Sequence, residues 1–146
     1  MKTLLHLAGW TLGTLLLLQL IRVDIPAPPI PKPGDTLTAP APVRSAIKKG
    51  CYDCHSSQTR LPWYNTITPI SLEVRVHVRD GRKWLNFEIW NRYDEEKKQK
   101  IYKGIVQTVT RGSMPIPMYL WVHKEARLTP DERNALIAWA RQHIRD

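Results

Sequence analysis

The chain has only two cysteines, Cys51 and Cys54, and His55 follows the second of them directly, so the segment reads C-x-x-C-H. This spacing is used for covalent haem attachment: the two thiols add to the haem vinyl groups, and the adjoining histidine binds the iron. No other pair of cysteines competes for this interpretation. The sequence therefore predicts one covalent haem c, held by Cys51 and Cys54, with His55 as an axial ligand.

The first 22 residues are predicted to be a membrane anchor or a signal segment. Residues 3–21 are almost all apolar, and nineteen helical residues would rise about 28 Å, close to the thickness of the hydrocarbon core of a bilayer. The residues that follow offer no good signal-peptidase site, which favours an uncleaved transmembrane helix. Because Lys2 favours a cytoplasmic N-terminus, we expect a bacterial inner-membrane protein with its haem domain on the periplasmic side.

Residues 23–42 are predicted to be a proline-rich linker. Seven prolines lie between Pro26 and Pro42, and such a composition favours extended polyproline II structure of about 50 Å. Residues 43–146 are predicted to form one haem-binding domain, since about a hundred residues is the usual size of a single domain.

Composition restricts the partners of this domain. Six tryptophans and five tyrosines provide flat apolar surfaces that suit the lining of a haem site. The formal net charge of +9 predicts a redox partner protein with an acidic surface. A nucleic-acid partner is not expected, because no dense run of Lys and Arg is interleaved with aromatic residues.

The pattern of residues after the linker predicts a mainly α fold. Helices are expected over residues 43–49, 69–80, 95–111 and 129–144. Residues 72–79 also alternate as a strand would, but the Thr68-Pro69 start and a stop at Gly81 favour a helix. In the last helix, Thr129 and Glu132 have the spacing of a capping box.

Met114 is predicted to be the sixth ligand of the iron. It lies in a loop with Pro115 and Pro117, which restrict the backbone and present the thioether at low entropic cost. Met118, in the same loop, is an alternative, and we expect it to pack against the haem edge.

Histidines are the other candidates for this position. His77 lies on the predicted helix over residues 69–80 and would give bis-histidine ligation, with a lower potential than Met/His ligation. His123 is a weaker candidate. His143 is expected to be a surface residue near a helix end.

Several segments of the chain resemble a small bacterial haem-binding domain family built around C-x-x-C-H-S. The similar segments are residues 51–64, 69–71, 77–82, 85–90, 114–117 and 119–123, followed by Leu128. The resemblance covers about residues 43–144 and implies a covalent haem c in a small, mainly helical, cytochrome c-like domain, often exported behind a signal or anchor. The family pattern includes a histidine at His77, whereas its members tend to carry a small polar residue where this chain has Met118.

The loop after His55 is expected to cover one edge of the haem, as it does in small cytochromes c. Pro62 would stiffen this loop. Trp63 or Tyr64 would stack on the ring or hydrogen-bond to a propionate, and Arg60 would pair with that carboxylate.

Together these features predict a membrane-tethered, monohaem c-type cytochrome that transfers electrons, with no catalytic residue assigned. The alternative is a haem enzyme or gas sensor, for example a peroxidase, with an open or His-ligated sixth site. A disulfide is a rival interpretation of the two cysteines. A zinc site is disfavoured because a second ligand pair at regular spacing is missing from the sequence.

Overall fold

The computed structural model describes residues 1–145, and the regular structure over that range is helical, with no β-strand. The α-helices are α1 (Lys2–Leu18), α2 (Ala41–Gly50), α3 (Tyr52–His55), α4 (Ile70–Trp84), α5 (Glu95–Thr110), α6 (Tyr119–Val122) and α7 (Pro130–Gln142). Short 3₁₀ helices lie at Trp63–Thr66, Phe87–Arg92 and Lys124–Ala126. The prediction of a mainly α fold is confirmed.

The N-terminal helix α1 has 17 residues, none of which is buried. Over residues 1–145, no helix combines the length and the apolar content needed to cross a bilayer, so the structure does not support the predicted transmembrane helix. The regular helix ends at Leu18, and the next side chain turns towards the domain formed by the later helices. Gln19 Nε2 donates to the carbonyl oxygen of Thr68 at 2.9 Å, and the Thr68 N–H donates to Gln19 Oε1 at 2.9 Å.

The proline-rich segment over residues 23–40 contains no regular helix, as its prolines predict, but it lies against the domain. Leu37 is buried in the core, and its N–H donates to the carbonyl oxygen of Phe87 at 2.9 Å. Asp35 pairs with Arg92, whose Nη2 lies 2.6 Å from Asp35 Oδ2. The segment is therefore not a free spacer along its whole length.

The main hydrophobic core lies where α2 and α5 pack against α7. Its centre is aromatic: the ring centroids of Trp90 and Tyr102 are 5.2 Å apart, and those of Tyr102 and Trp139 are 5.3 Å apart, both with edge-to-face geometry. At the start of α7, Thr129 and Glu132 form the predicted capping box. These contacts place α2, and the C-x-x-C-H motif that follows it, on a rigid base.

Helix α4 begins at Ile70 and continues to Trp84, four residues beyond the predicted end at Asp80. Gly81 is therefore an interior residue of the helix. Its role is to allow close approach, because a Cβ at this position would lie 2.7 Å from the carbonyl oxygen of Cys54. The missing side chain lets α4 pack directly on the C-x-x-C-H motif.

Candidate functional site

The C-x-x-C-H motif forms a single turn of helix directly after α2. Hydrogen bonds from the N–H groups of Cys54 and His55 to the carbonyl oxygen of Cys51, at 3.2 and 2.9 Å, close this turn. Gly50 allows the turn to pack tightly, since a Cβ there would lie 3.1 Å from the carbonyl oxygen of Ala126 and 3.1 Å from Pro115 Cγ. The motif is thus fixed between α2 and the loop that carries Pro115.

Both cysteines are free thiols in this fold. Removal of solvent raises the pKa of Cys51 to about 12 and that of Cys54 to about 11. At neutral pH both groups therefore remain protonated thiols. The disulfide interpretation finds no support in this arrangement.

The imidazole of His55 is held by the last turn of α4. Its Nδ1 lies 3.0 Å from the carbonyl oxygen of Gly81 and 3.1 Å from that of Leu85. Since carbonyl oxygens only accept hydrogen bonds, Nδ1 carries the proton and Nε2 keeps its lone pair. Burial lowers the pKa of His55, which favours the neutral ring. This neutral, oriented ring is the form of histidine that binds a metal ion.

Three cavities adjoin the motif, and the cysteines line two of them. The larger of these two has a volume of about 360 Å³ and is bordered by Cys54, and the smaller has about 90 Å³ and is bordered by Cys51 and His55. The third, of about 640 Å³, is bordered by Tyr52 and Asp53 but by neither cysteine nor His55. Ligand sites usually have about 300–1,000 Å³. The larger cavity falls within that range, whereas the smaller one would have to widen to admit a ligand.

The predicted cofactor contacts Arg60, Trp63 and Tyr64 all line the larger cavity. Met118 and His77, the alternative iron ligands, line the same cavity. Trp63 is 78 % exposed and stands at the rim rather than in the interior. These five side chains therefore lie around one space.

Met114 lies apart from that group. It lines the smaller cavity together with His55 and Cys51, and Pro115 beside it is buried. Met118, by contrast, is 49 % exposed. Of the two methionines, the more enclosed one thus shares a space with the predicted proximal ligand.

A hydrogen-bonded chain that begins in the wall of the larger cavity was not predicted from the sequence. Tyr64 Oη lies 2.6 Å from His123 Nε2, and His123 Nδ1 lies 2.9 Å from Glu125 Oε1. Both ring nitrogens of His123 are thus occupied, which argues against this histidine as an iron ligand. Tyr64 and His123 are far apart in the sequence, and no local pattern signals the pair.

A second pair beside the motif also escaped the sequence analysis. The hydroxyl of Tyr119 donates to Asp53 Oδ2 at 2.7 Å, and the Tyr119 ring stacks on His123 with centroids 4.3 Å apart. Burial, and then the neighbouring carboxylate of Asp53, raise the pKa of Tyr119. This contact ties α6 to Asp53, one of the two residues between the cysteines.

The turn after His55 is held by a buried carboxylate. Glu88, which is 5 % exposed, accepts from the N–H of Ser57 at 2.7 Å and from the side-chain amide of Gln58. Arg82 Nε donates to the carbonyl oxygen of Ser56 at 2.9 Å. These contacts keep the chain beyond the motif in one conformation.

His143 lies outside the site, as expected. It is exposed, its Nδ1 lies 2.8 Å from the carbonyl oxygen of Trp139, and its ring stacks on Tyr102 at 4.9 Å.

The site combines two neighbouring thiols, a neutral imidazole with a free Nε2 and an apolar cavity beside them. These are the donor groups and the lining of a haem-binding protein, so the residues present fit that cofactor. Comparison with known families gives the same class: residues 13–142 match the haem-binding domain family, and the chain belongs to it. No curated protein and no solved structure gives a significant match. The matched region begins in α1 and includes the proline-rich segment, so it starts about thirty residues before residue 43, where the resemblance seen in the sequence begins.

Proposed function

We propose that this protein is a c-type cytochrome that carries electrons through one haem, attached covalently to Cys51 and Cys54 and ligated by His55. The observation that carries the proposal is the contact of His55 Nδ1 with the carbonyl oxygens of Gly81 and Leu85, at 3.0 and 3.1 Å. This contact leaves the lone pair of Nε2 free to bind the iron of a haem attached to the neighbouring cysteines. A haem in this site would supply a one-electron couple.

The protein's own contribution to electron transfer is orientation and exclusion of water. The close packing at Gly81 fixes α4 against Cys54, so the imidazole and the thiols keep one relative position. Apolar side chains such as Val74, Val78 and Ile116 line the larger cavity. An apolar, rigid environment changes little when an electron arrives, so the reorganisation energy of electron transfer stays small.

Met114 is the proposed sixth ligand. Its location beside His55 in the smaller cavity and the buried Pro115 next to it support this role. Met/His ligation leaves no open position on the iron and suits a carrier rather than an enzyme. Met118 and His77, which line the other cavity, are the alternatives that the experiment below separates.

The proposal includes export and attachment to the periplasmic side of a bacterial inner membrane. Its support is the apolar N-terminal sequence, with every residue of α1 free of the core, together with the expectation that covalent haem attachment occurs outside the cytoplasm. The net charge of +9 favours a redox partner with an acidic surface.

The test of covalent attachment is to express the full chain with the cytochrome c maturation machinery and to extract it with acidified acetone. We expect the haem to stay with the polypeptide and the mass to exceed that of the bare chain by one haem. The double variant Cys51→Ala/Cys54→Ala is the matched control and should lose the haem. Complete extraction of haem from the wild type would refute the proposal.

The sixth ligand is tested on the same preparation by absorption spectroscopy. In Met114→Ala, a thioether-to-iron charge-transfer band in the red region of the oxidised spectrum should disappear, whereas Met118→Ala should retain it. The opposite pattern would identify Met118 as the ligand. A wild type without the band would leave His77 as the leading candidate, to be checked with His77→Ala.

A second candidate function is a haem enzyme or gas sensor with an open sixth site. The observation that favours it is the hydrogen-bonded chain of Tyr64, His123 and Glu125, the first two of which line the larger cavity, because such a chain can move protons to and from a bound substrate. Carbon monoxide added to the reduced protein distinguishes the two functions, since binding requires an open site. If peroxide turnover is found, His123→Gln should lower it and His143→Gln should not.

A further inference from the structure

An exposed apolar rim surrounds the mouth of the larger cavity. It consists of Leu61, Trp63, Ile70, Met118, Trp121 and Val122, all of which line that cavity. Trp63 is 78 % exposed and Trp121 is 74 % exposed. Large apolar side chains gathered at one opening indicate an interaction surface rather than scattered surface residues.

The apolar helix α1 joins the domain next to this rim. Gln19, directly after α1, makes two hydrogen bonds of 2.9 Å with the backbone of Thr68. Thr68 lies between Ile67 and Ile70, which are 43 % and 51 % exposed. The exposed apolar residues of α1 and the apolar rim therefore meet at the start of α4.

We propose that the apolar rim rests on a phospholipid bilayer, the same bilayer that takes up α1. The inference relies on the membrane attachment included in the proposed function and adds which face of the domain lies against the lipid. Trp side chains are favoured at the membrane–water interface, and the rim presents two of them. The mouth of the larger cavity then opens towards the lipid and not towards the periplasm.

The charge of the protein favours its attraction to an anionic lipid surface at long range. Exposed groups near the rim carry both signs, with Arg60 and Lys124 opposed by Glu73 and Glu125. The attraction therefore comes from the whole chain, whose net charge is +9. Contact itself depends on the apolar side chains.

Photo-crosslinking on the full chain tests this orientation. The protein is reconstituted into vesicles of phosphatidylcholine and phosphatidylglycerol, with p-benzoylphenylalanine replacing Trp63, Trp121, Trp84 or Trp10 in separate variants. Trp84 is the matched control, because it is also an exposed tryptophan (49 %) and lies about 21 Å along α4 from Ile70. Trp10, within α1, reports on membrane attachment.

We expect phospholipid adducts, detected by mass, at positions 63, 121 and 10 and none at 84. Adducts at position 10 without adducts at 63 and 121 would overturn the inference and leave the membrane attachment standing. Crosslinks at 63 or 121 to a second copy of the chain would also overturn it. No adduct at any position would refute both attachment and orientation, while haem retention, measured separately, would be unaffected.

Discussion

Replacement of Gly81 by alanine tests how closely α4 approaches the haem motif. Gly81 lies inside α4, and a Cβ there would be 2.7 Å from the carbonyl oxygen and 3.2 Å from the Cβ of Cys54. In an unobstructed helix interior, alanine is more stable than glycine by about 1 kcal/mol. Here the obstacle is backbone, which cannot rotate away, so the helix itself has to move.

The expected magnitude follows from these distances. A Cβ at position 81 would lie about 0.7 Å inside an ordinary van der Waals contact distance, and overpacking of this kind costs about 1–3 kcal/mol. After subtraction of the helix-propensity gain, we expect Gly81→Ala to reduce the free energy of unfolding by about 1 kcal/mol, or the Tm by about 4 °C. The shift also moves the carbonyl oxygen that holds His55, so the spectrum of the haem-loaded protein should change.

Gly104→Ala is the matched control for this prediction. Gly104 is likewise inside a helix, α5, but a Cβ there would meet Trp84 Cζ2 at 3.7 Å, an ordinary contact. This variant should gain about 0.5–1 kcal/mol. Thermal unfolding of the purified full chain, followed by far-ultraviolet circular dichroism, measures both changes. If Gly81→Ala melts at or above the wild-type temperature, the argument from close approach is wrong.

Two further predictions concern acid stability and the proline-rich segment. Lys49 Nζ donates to Glu132 at 2.7 Å and, with the N–H of Thr129, lowers the pKa of Glu132 from its ordinary value of 4.5. The stability that this shift contributes is present above pH 4.5 and is lost as the pH falls through the lower pKa of the folded state. Glu132→Gln should therefore flatten urea-unfolding stability between about pH 5 and pH 3, and an unchanged acid limb would contradict this assignment. Leu37→Ala should cost about 2–3 kcal/mol because its side chain is in the core, whereas Leu20→Ala, at a position 78 % exposed, should stay within about 0.5 kcal/mol. Equal melting temperatures for these two variants would show that the segment does not belong to the domain.

Features that depend on neighbouring residues were predictable from the sequence. The capping box of Thr129 and Glu132 joins residues three positions apart, and the structure contains it as predicted. The longest helix of the core was predicted over residues 95–111 and is observed over Glu95–Thr110, because its cap, Asp94, is also a local signal. Hydrogen bonds within one turn are encoded by adjacent residues and need no knowledge of the fold.

Features that depend on contacts between distant segments were missed or misread. Gly81 looked like a helix terminator, since a glycine after a helical pattern usually is one. Its actual role depends on Cys54, which is close only after folding. The proline-rich segment looked like a free spacer, yet its Leu37 is buried in the hydrophobic core of the domain. No periodic pattern in this segment indicates that contact.

By itself, the sequence determined the chemistry that this chain offers: two thiols and an imidazole within five residues, in a mainly helical, basic protein with an apolar N-terminal segment. Only the tertiary structure decided which groups surround that chemistry. It brought the carbonyl oxygens of Gly81 and Leu85 to His55, separated Met114 from Met118 by placing them in different cavities, and joined Tyr64 to His123. The physical reason is range: a motif is contiguous in the chain, whereas its ring tautomer, solvent exclusion and hydrogen-bond partners depend on residues brought close by packing.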